Sequence, residues 1–322
     1  MFLSEPPDEK LSLPDFRAPQ GENITSPSVH LLDTIHACEI RQEWYRNHIL
    51  AQGWEPLVFA GSVTLESSAV EVAKKIAAEL MFNIEDRSAL KTWDAALTEM
   101  VLLTEQAGIL VMRNGIVGNN TTRPLDSNEF SGFALADDLA PLIFINGKDS
   151  RARQMFTLAH EIAHIWLGQS GLSLLDISER HSRKTERWCN SVAAELLVPM
   201  EHLKKLEPPS NIDDLAVQQL ARHFKVSNLV ILLRLRDGNY LTRDKFIQMF
   251  KEEIIRLGSL ASPGGGGDFY RTQVSRTGGL FARAVVVSAM EGQTLYRDAY
   301  QMLGIKKQST FDEMARSIGV IL

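Results

Sequence analysis

Apolar positions recur at helical spacing along the first third of the chain. Leu31, Leu32, Ile35, Ile40, Trp44 and Ile49 predict a helix from Ser28 to about Gln52. Two more are predicted over Ser67–Leu80 and Trp93–Gly108, the second ended by its glycine. The period then shortens. Ile109–Arg113 (ILVMR), Phe130–Ala134 and Leu142–Asn146 (LIFIN) are short β-rich runs bounded by Asn-Gly, Asp-Asp and Gly signals, and they predict three strands in one small sheet. Helical spacing returns over Arg151–Leu167, closed by Gly168, and over Ser182–Val198, stopped by Pro199. Beyond Pro208-Pro209-Ser210 it predicts Asp213–Phe224, Ser227–Leu235 and a helix from about Arg243 to Leu257.

The ends of the chain read differently. Pro6, Pro7, Pro14, Pro19 and Pro27 make the first 27 residues an extended arm or a strap over another surface. The run Ser262-Pro263-Gly264-Gly265-Gly266-Gly267 reads as a linker, because it lacks the Lys-Ser/Thr of a phosphate loop and no strand leads in. A compact helical tail follows over Tyr270–Met290, Thr294–Leu303 and Thr310–Ile318. The organisation expected is an N-terminal arm and helix (1–66), a core (67–206), a helix-turn-helix-like segment (207–260), and a linker with a helical tail (261–322). The fold class is α+β, mainly helical, with a small sheet.

Composition narrows the class only a little. With 44% hydrophobic and 23% charged residues the chain is neither wholly disordered, nor collagen-like, nor a coiled-coil rod. No apolar run reaches the length that crosses a bilayer, and the acidic, proline-rich N-terminus is unlike a signal peptide. Two cysteines, Cys38 and Cys189, argue against a disulfide scaffold or a four-cysteine zinc module, so a cytoplasmic protein with no membrane association is expected. The net charge of −6 is uneven, with −8 over residues 1–99 and +5 over residues 203–322. That basic end permits contact with nucleic acid without requiring it.

The strongest chemical signal is His160-Glu161-Ile162-Ala163-His164. On a helix, positions i and i+4 share a face, so both imidazoles reach one metal ion. Glu161 is turned by about 100° from His160 and reaches the attacking water without being a ligand. Zinc suits the pair, since it takes neutral imidazole nitrogens and keeps an open position. A third ligand is needed, and Glu179, Glu186, Glu195 and Glu201 are the downstream candidates. Glu186 and Glu195 share a predicted helix at about 900° of separation, on opposite faces, so only one of them can face the metal. Glu186 shares its face with Asn190, Ala193 and Leu197, which suits close packing on the histidine helix, and spacing favours it. Glu195 is expected at solvent or in a surface ion pair.

The stretch FTLAHEIAHIWLG…ERWCNSVAAELLVP resembles the ImmA/IrrE family of bacterial zinc metallopeptidases. That family pairs HExxH with a later helix of the form E-x-x-x-N-x-x-A-x-x-L-L-x-P, filled here by Glu186, Asn190, Ala193, Leu196, Leu197 and Pro199. The resemblance implies a zincin-like core, Zn²⁺ held by His160, His164 and Glu186, and Glu161 as the general base of peptide hydrolysis. Family members of known role cleave helix-turn-helix repressors encoded nearby, releasing stress, DNA-damage or mobile-element genes. The resemblance therefore implies a regulatory endopeptidase with a repressor as its protein substrate. Many members carry an N-terminal helix-turn-helix domain, and this chain begins without one.

Several features stand outside that reading. LAVQQLARHFKVSNLVILLRL (215–235) has helix-turn-helix spacing, but its second helix leaves few polar side chains for base edges, so core packing fits it better. The alternative function is a DNA-binding regulator or sensor that uses the peptidase fold without proteolysis. DNA is also a candidate activator, single-stranded rather than duplex, with Phe269, Tyr270 and Phe281 stacking bases beside Arg271, Arg276 and Arg283. Both cysteines read as structural thiols, Cys189 on a face of its helix away from Glu186. The sharper option for Cys38 is an inhibitory thiolate at zinc's open position. His181 is the nearest spare histidine, and reads as a surface-loop residue; the oxyanion donor is not identified by the sequence.

Overall fold

The strands form where the apolar period shortens, and they divide the helices into two groups. The computed structural model describes residues 13–15, 26–174, 184–209, 211–258 and 269–320. Four helices come first: α1 (Val29–Ala51), α2 (Ala69–Glu79), α3 (Ile84–Ala89) and α4 (Trp93–Gln106). Then come β1 (Leu110–Asn114), β2 (Ile116–Val117), β3 (Asn120–Pro124), β4 (Gly132–Leu135), β5 (Leu142–Asn146), α5 (Arg151–Leu167) and β6 (Gly171–Ser173). The remainder is helical: α6 (Lys184–Leu197), α7 (Met200–Lys205), α8 (Asp214–Phe224), α9 (Asn228–Asp237), α10 (Arg243–Gly258), α11 (Phe269–Thr277), α12 (Gly279–Met290), α13 (Tyr296–Leu303) and α14 (Gln308–Ser317). The class is α+β and mainly helical, with a zincin-like core. None of the described helices is long and apolar enough to cross a membrane.

The three expected strands are β1, β4 and β5, joined at the edge by β6 in the order β1-β5-β4-β6. β1 runs parallel to β5, and the other pairings are antiparallel. A separate antiparallel pair, β2–β3, was not expected, because the polar run of β3 carries no alternation. At the β6 edge the N-terminal arm meets the sheet: the Leu172 amide donates to the Pro14 carbonyl at 3.0 Å, and Leu13 is buried. The first twelve residues and the Ser262–Gly267 linker lie outside the described residues.

Both faces of this sheet are dry, so its strands read as continuous apolar runs. Val111, Ala134, Ile143 and Ile145 pack with α2, α4, α5, α6 and α9. Leu110, Met112, Phe133, Leu135, Leu142 and Phe144 pack with α1 and α12–α14, and Phe133 stacks on Phe144 with ring centroids 5.1 Å apart. The C-terminal helices are thus the second layer of the sheet's packing. The single helix expected over Tyr270–Met290 is interrupted at Gly278, whose φ of +82° turns the chain between α11 and α12. Phe281 is fully buried, edge-on to Trp44 at 5.5 Å, and Arg283 donates to the Ile318 carbonyl. Phe281 is therefore not free to stack a base. The side chain of Phe269 lies outside the described residues.

α8 and α9 have the anticipated helix-turn-helix spacing, with Asp213 and Ser227 as N-caps and Lys225 left-handed at φ +53° between them. Leu229 to Leu235 are all buried, so α9 is a core helix and presents no base-reading face. Glu195 corrects an expectation. It is not at the surface but 7% exposed, ion-paired with Arg234 of α9, and it accepts from the Met200 amide at 3.1 Å. Arg234 also donates to the Val198 carbonyl, so this pair fastens α6 to α9.

Two measurements follow from the layering. Phe281→Ala removes a buried ring and should cost about 3–5 kcal/mol, seen as a lower urea midpoint with one transition still shared by both layers. Glu105, on α4, has its carboxyl pushed up to about 7 by burial, against the lowering effect of the Leu280, Gly279 and Val111 amides that it accepts from. The ordinary value is 4.5, so between 4.5 and about 7 the folded state holds a proton that the unfolded state releases. Stability should therefore fall as pH rises through that window, and Glu105→Gln should flatten the fall in urea titrations from pH 5 to 8.

Candidate metal centre

α5 is buried from Gln154 to Leu167, so every polar group on it must find a partner inside the protein. Ser150 starts the helix by accepting from the Arg153 amide, and Gly168 ends it in a left-handed conformation. Gln154 donates to the Asp149 and Gly147 carbonyls, and Thr157 to the Arg153 carbonyl. His160 and His164, one turn apart, bring their Nε2 atoms to 3.2 Å.

α6 supplies what those histidines meet. Glu186 Oε2 lies 3.2 Å from His160 Nε2, and Oε1 lies 3.1 Å from His164 Nε2. One turn later on the same helix, Asn190 Oδ1 is 2.9 Å from His160 Nδ1 and accepts its proton, which leaves Nε2 free to coordinate. Burial disfavours charge on Glu186, but the two histidines outweigh it and hold the carboxyl well below the usual range. Burial also opposes a charged His160, and Glu186 overcomes it and raises the pKa. The meeting point is built for positive charge. The two histidine nitrogens are 3.2 Å apart, and each lies 3.1–3.2 Å from a different oxygen of Glu186, separations close to the roughly 3.3 Å edge of a tetrahedron with zinc–ligand bonds of about 2.0 Å. The donor set fits a zinc ion.

Glu161 is fully buried, and neither of its carboxylate oxygens has a hydrogen-bond partner among the described residues. Ser173 stands close enough to favour the charged form without meeting hydrogen-bond geometry. Burial pushes the carboxyl up to about 7, while His160 and His164 pull it down. Room for it comes from Gly132 on β4. A Cβ there would stand 2.6 Å from Thr157 Cγ2 and 3.4 Å from Glu161 Oε1. A carboxylate with this pKa, buried beside a cation site, is suited to exchanging protons near neutral pH.

The other candidates separate cleanly. Glu195 is engaged with Arg234, and Glu201 sits on the surface of α7 paired with Lys205. Glu179 and His181 lie outside the described residues. Cys189 was expected on a face away from Glu186, but its Sγ lies within 4.8 Å of the histidine donor atoms, so it too is within reach of a metal. Burial raises its thiol well above the ordinary value, with Glu186 and Glu161 adding to the effect, which makes it a poorer ligand than the Glu186 carboxylate. Cys38 is far from this role. It packs in the other layer of the sheet, with Sγ 3.9 Å from Met112 Sδ and its thiol pushed up to about 12 by burial, so the inhibitory thiolate is set aside. Sequence reading missed Ser173, whose Oγ is 3.4 Å from His160 Nε2, and Gly132. The three-residue β6 carries no period to reveal Ser173, and nothing in the apolar run of β4 marks Gly132, whereas Asn190 was visible as part of a helix face and of the motif that carries the resemblance.

Two histidines and a carboxylate from adjacent helices, beside a buried unpartnered glutamate, define a metallopeptidase. Residues 104–236 match the IrrE N-terminal-like domain of peptidase family M78, so this part of the chain is similar to the ImmA/IrrE peptidases. Residues 277–317 match a domain of unknown function (DUF8813). No curated protein matches the chain.

Asn190→Ala should leave the fold intact but release the His160 ring. Zinc affinity, measured by competition with a chromophoric chelator, should drop about 10–100-fold.

Proposed function

We propose that this chain is a regulatory zinc endopeptidase whose substrate is a protein, most specifically a helix-turn-helix transcriptional repressor. The observation that carries the enzymatic part is the convergence of His160, His164 and Glu186 at 3.1–3.2 Å beside the unpartnered Glu161. In this reading the two imidazoles and the Glu186 carboxylate hold the zinc, and Asn190 keeps His160 in the coordinating tautomer. When bound, zinc supplies a Lewis acid that polarises the scissile carbonyl and eases ionisation of the attacking water. Glu161 takes the water's proton and later passes it to the leaving amine, a transfer that its raised pKa suits.

The repressor as substrate is supported by the similarity of residues 104–236 to the ImmA/IrrE peptidases. A peptidase that destroys a repressor switches genes on, which ties the reaction to stress, DNA-damage or mobile-element responses. The competing reading, a DNA-binding regulator without proteolysis, loses its base-reading helix because α9 is buried. A nucleic-acid activator would have to act without Phe281.

Glu161→Gln should retain zinc and fold while peptide-bond cleavage falls by about 10²–10⁴-fold. The assay incubates the zinc-loaded protein with purified helix-turn-helix repressors, products of neighbouring genes first, and maps fragments by mass spectrometry. Full cleavage by the variant would remove Glu161 as the base. An intact repressor under every condition, including added single-stranded and duplex DNA, would remove the proposed substrate.

A further inference from the structure

A cavity of about 380 Å³ lies among α1, the β2–β3 turn, α11 and the α13–α14 connection. It opens in the layer that covers the sheet face opposite α5. Its polar lining includes the cations Arg41, Arg276 and Lys306, the amides Asn114, Asn119, Gln273 and Gln301, and the hydroxyls of Thr34 and Tyr300, with no Asp or Glu among the lining residues.

These groups are held in place. Arg276 donates Nη1 to Asn119 Oδ1 at 3.0 Å, and Asn119 donates to the Gly304 carbonyl at 2.7 Å. Gln273, 2% exposed, donates to the Leu303 carbonyl at 2.7 Å. A Cβ on Gly304 would stand 2.8 Å from Asn119 Nδ2 and 3.1 Å from Gln273 Nε2, so the arrangement needs a glycine there. What they leave unmet is specific. Buried Arg276 Nε and Gln273 Oε1 have no hydrogen-bond partner among the described residues. Among the described residues Arg41 donates Nη1 to Met112 Sδ at 3.5 Å, with the Cys38 thiol beside it. Burial lowers the pKa of both guanidiniums, and no carboxylate acts to restore either.

Cations partly withdrawn from water without counter-charge carry a cost, and an anion that accepts from both arginines lowers it. Gln273 Oε1 calls in addition for a hydroxyl or amino donor. The volume is that of a small-molecule site. We propose that this cavity binds a small organic phosphate bearing hydroxyl or amino donors, of mononucleotide or sugar-phosphate size. It is separate from the metal centre, and the proposal stands whether or not the chain cleaves a repressor. Tyr300, Gln301, Gly304, Ile305 and Lys306 come from the domain of unknown function, which thereby acquires a role as one wall of a ligand site. Asn114 of β1 and Phe144 of β5 also line it, so a ligand would touch the sheet whose other face carries α5.

Isothermal titration of the full chain with pyrophosphate, ribose 5-phosphate, AMP and citrate tests this. Saturable binding of one AMP or one ribose 5-phosphate per chain is expected, with pyrophosphate weaker and citrate absent; tighter AMP would mark a nucleotide site, tighter ribose 5-phosphate a sugar-phosphate site. Arg41→Gln and Arg276→Gln should each weaken binding by about tenfold or more. Arg297→Gln, on the exposed side of α13, should not. Melting curves identify variants that fold, and Lys306→Gln, at the cavity rim, replaces Arg41→Gln should that one unfold. No saturable binding of any phosphate up to about 10 mM, equal binding by citrate, or undiminished affinity in folded arginine variants would overturn the proposal.

Discussion

A helix buried on all sides cannot leave its polar side chains to water, and this requirement organises the molecule around α5. About three turns carry Gln154, Thr157, His160, Glu161 and His164 into the interior. Loop carbonyls satisfy Gln154, the helix's own backbone satisfies Thr157, and α6 satisfies the histidines through Glu186 and Asn190. Among the described residues, none donates a hydrogen bond to either carboxylate oxygen of Glu161. Leaving one carboxylate unsatisfied costs stability unless its partner is the reacting molecule, so the exception itself points to chemistry.

The same requirement sets how the surrounding helices are placed. α6 must lie close across α5 for Glu186 and Asn190 to reach, and its opposite face is then committed to the core. Glu195 on that face is buried with Arg234, which draws α9 inward and turns a helix-turn-helix sequence into core packing. A buried pair of this kind contributes little net stability, but removing one partner would strand the other, so it fixes how α6 and α9 register.

Behind the sheet the logic is apolar rather than polar. β1, β4 and β5 are greasy on both faces, which demands a second helical layer. α1 and α12–α14 provide it from opposite ends of the chain, and Glu105 reaches from α4 to accept from the first amides of α12. The two layers thus share a sheet and a buried carboxylate. The cationic cavity lies in the second layer, where helices from distant parts of the sequence leave a gap that apolar side chains do not fill.

Sequence alone determined what depends on local period and local chemistry. The helices α1, α2, α4, α5, α8 and α9, the strands β1, β4 and β5, and the pairing of His160 with His164 at i and i+4 were all legible, because neighbours in sequence set them. The face of α6 that carries Glu186 could be argued from spacing, since a helix turns by a constant angle. Tertiary structure decided the rest. Glu195 changed from a surface group to a buried one, Cys189 came near the histidines, and Cys38 was parted from them by a sheet. Ser173, Gly132 and the Arg41–Arg276 cavity depend on segments tens to hundreds of residues apart, and no pattern within one segment encodes which partner packing will bring.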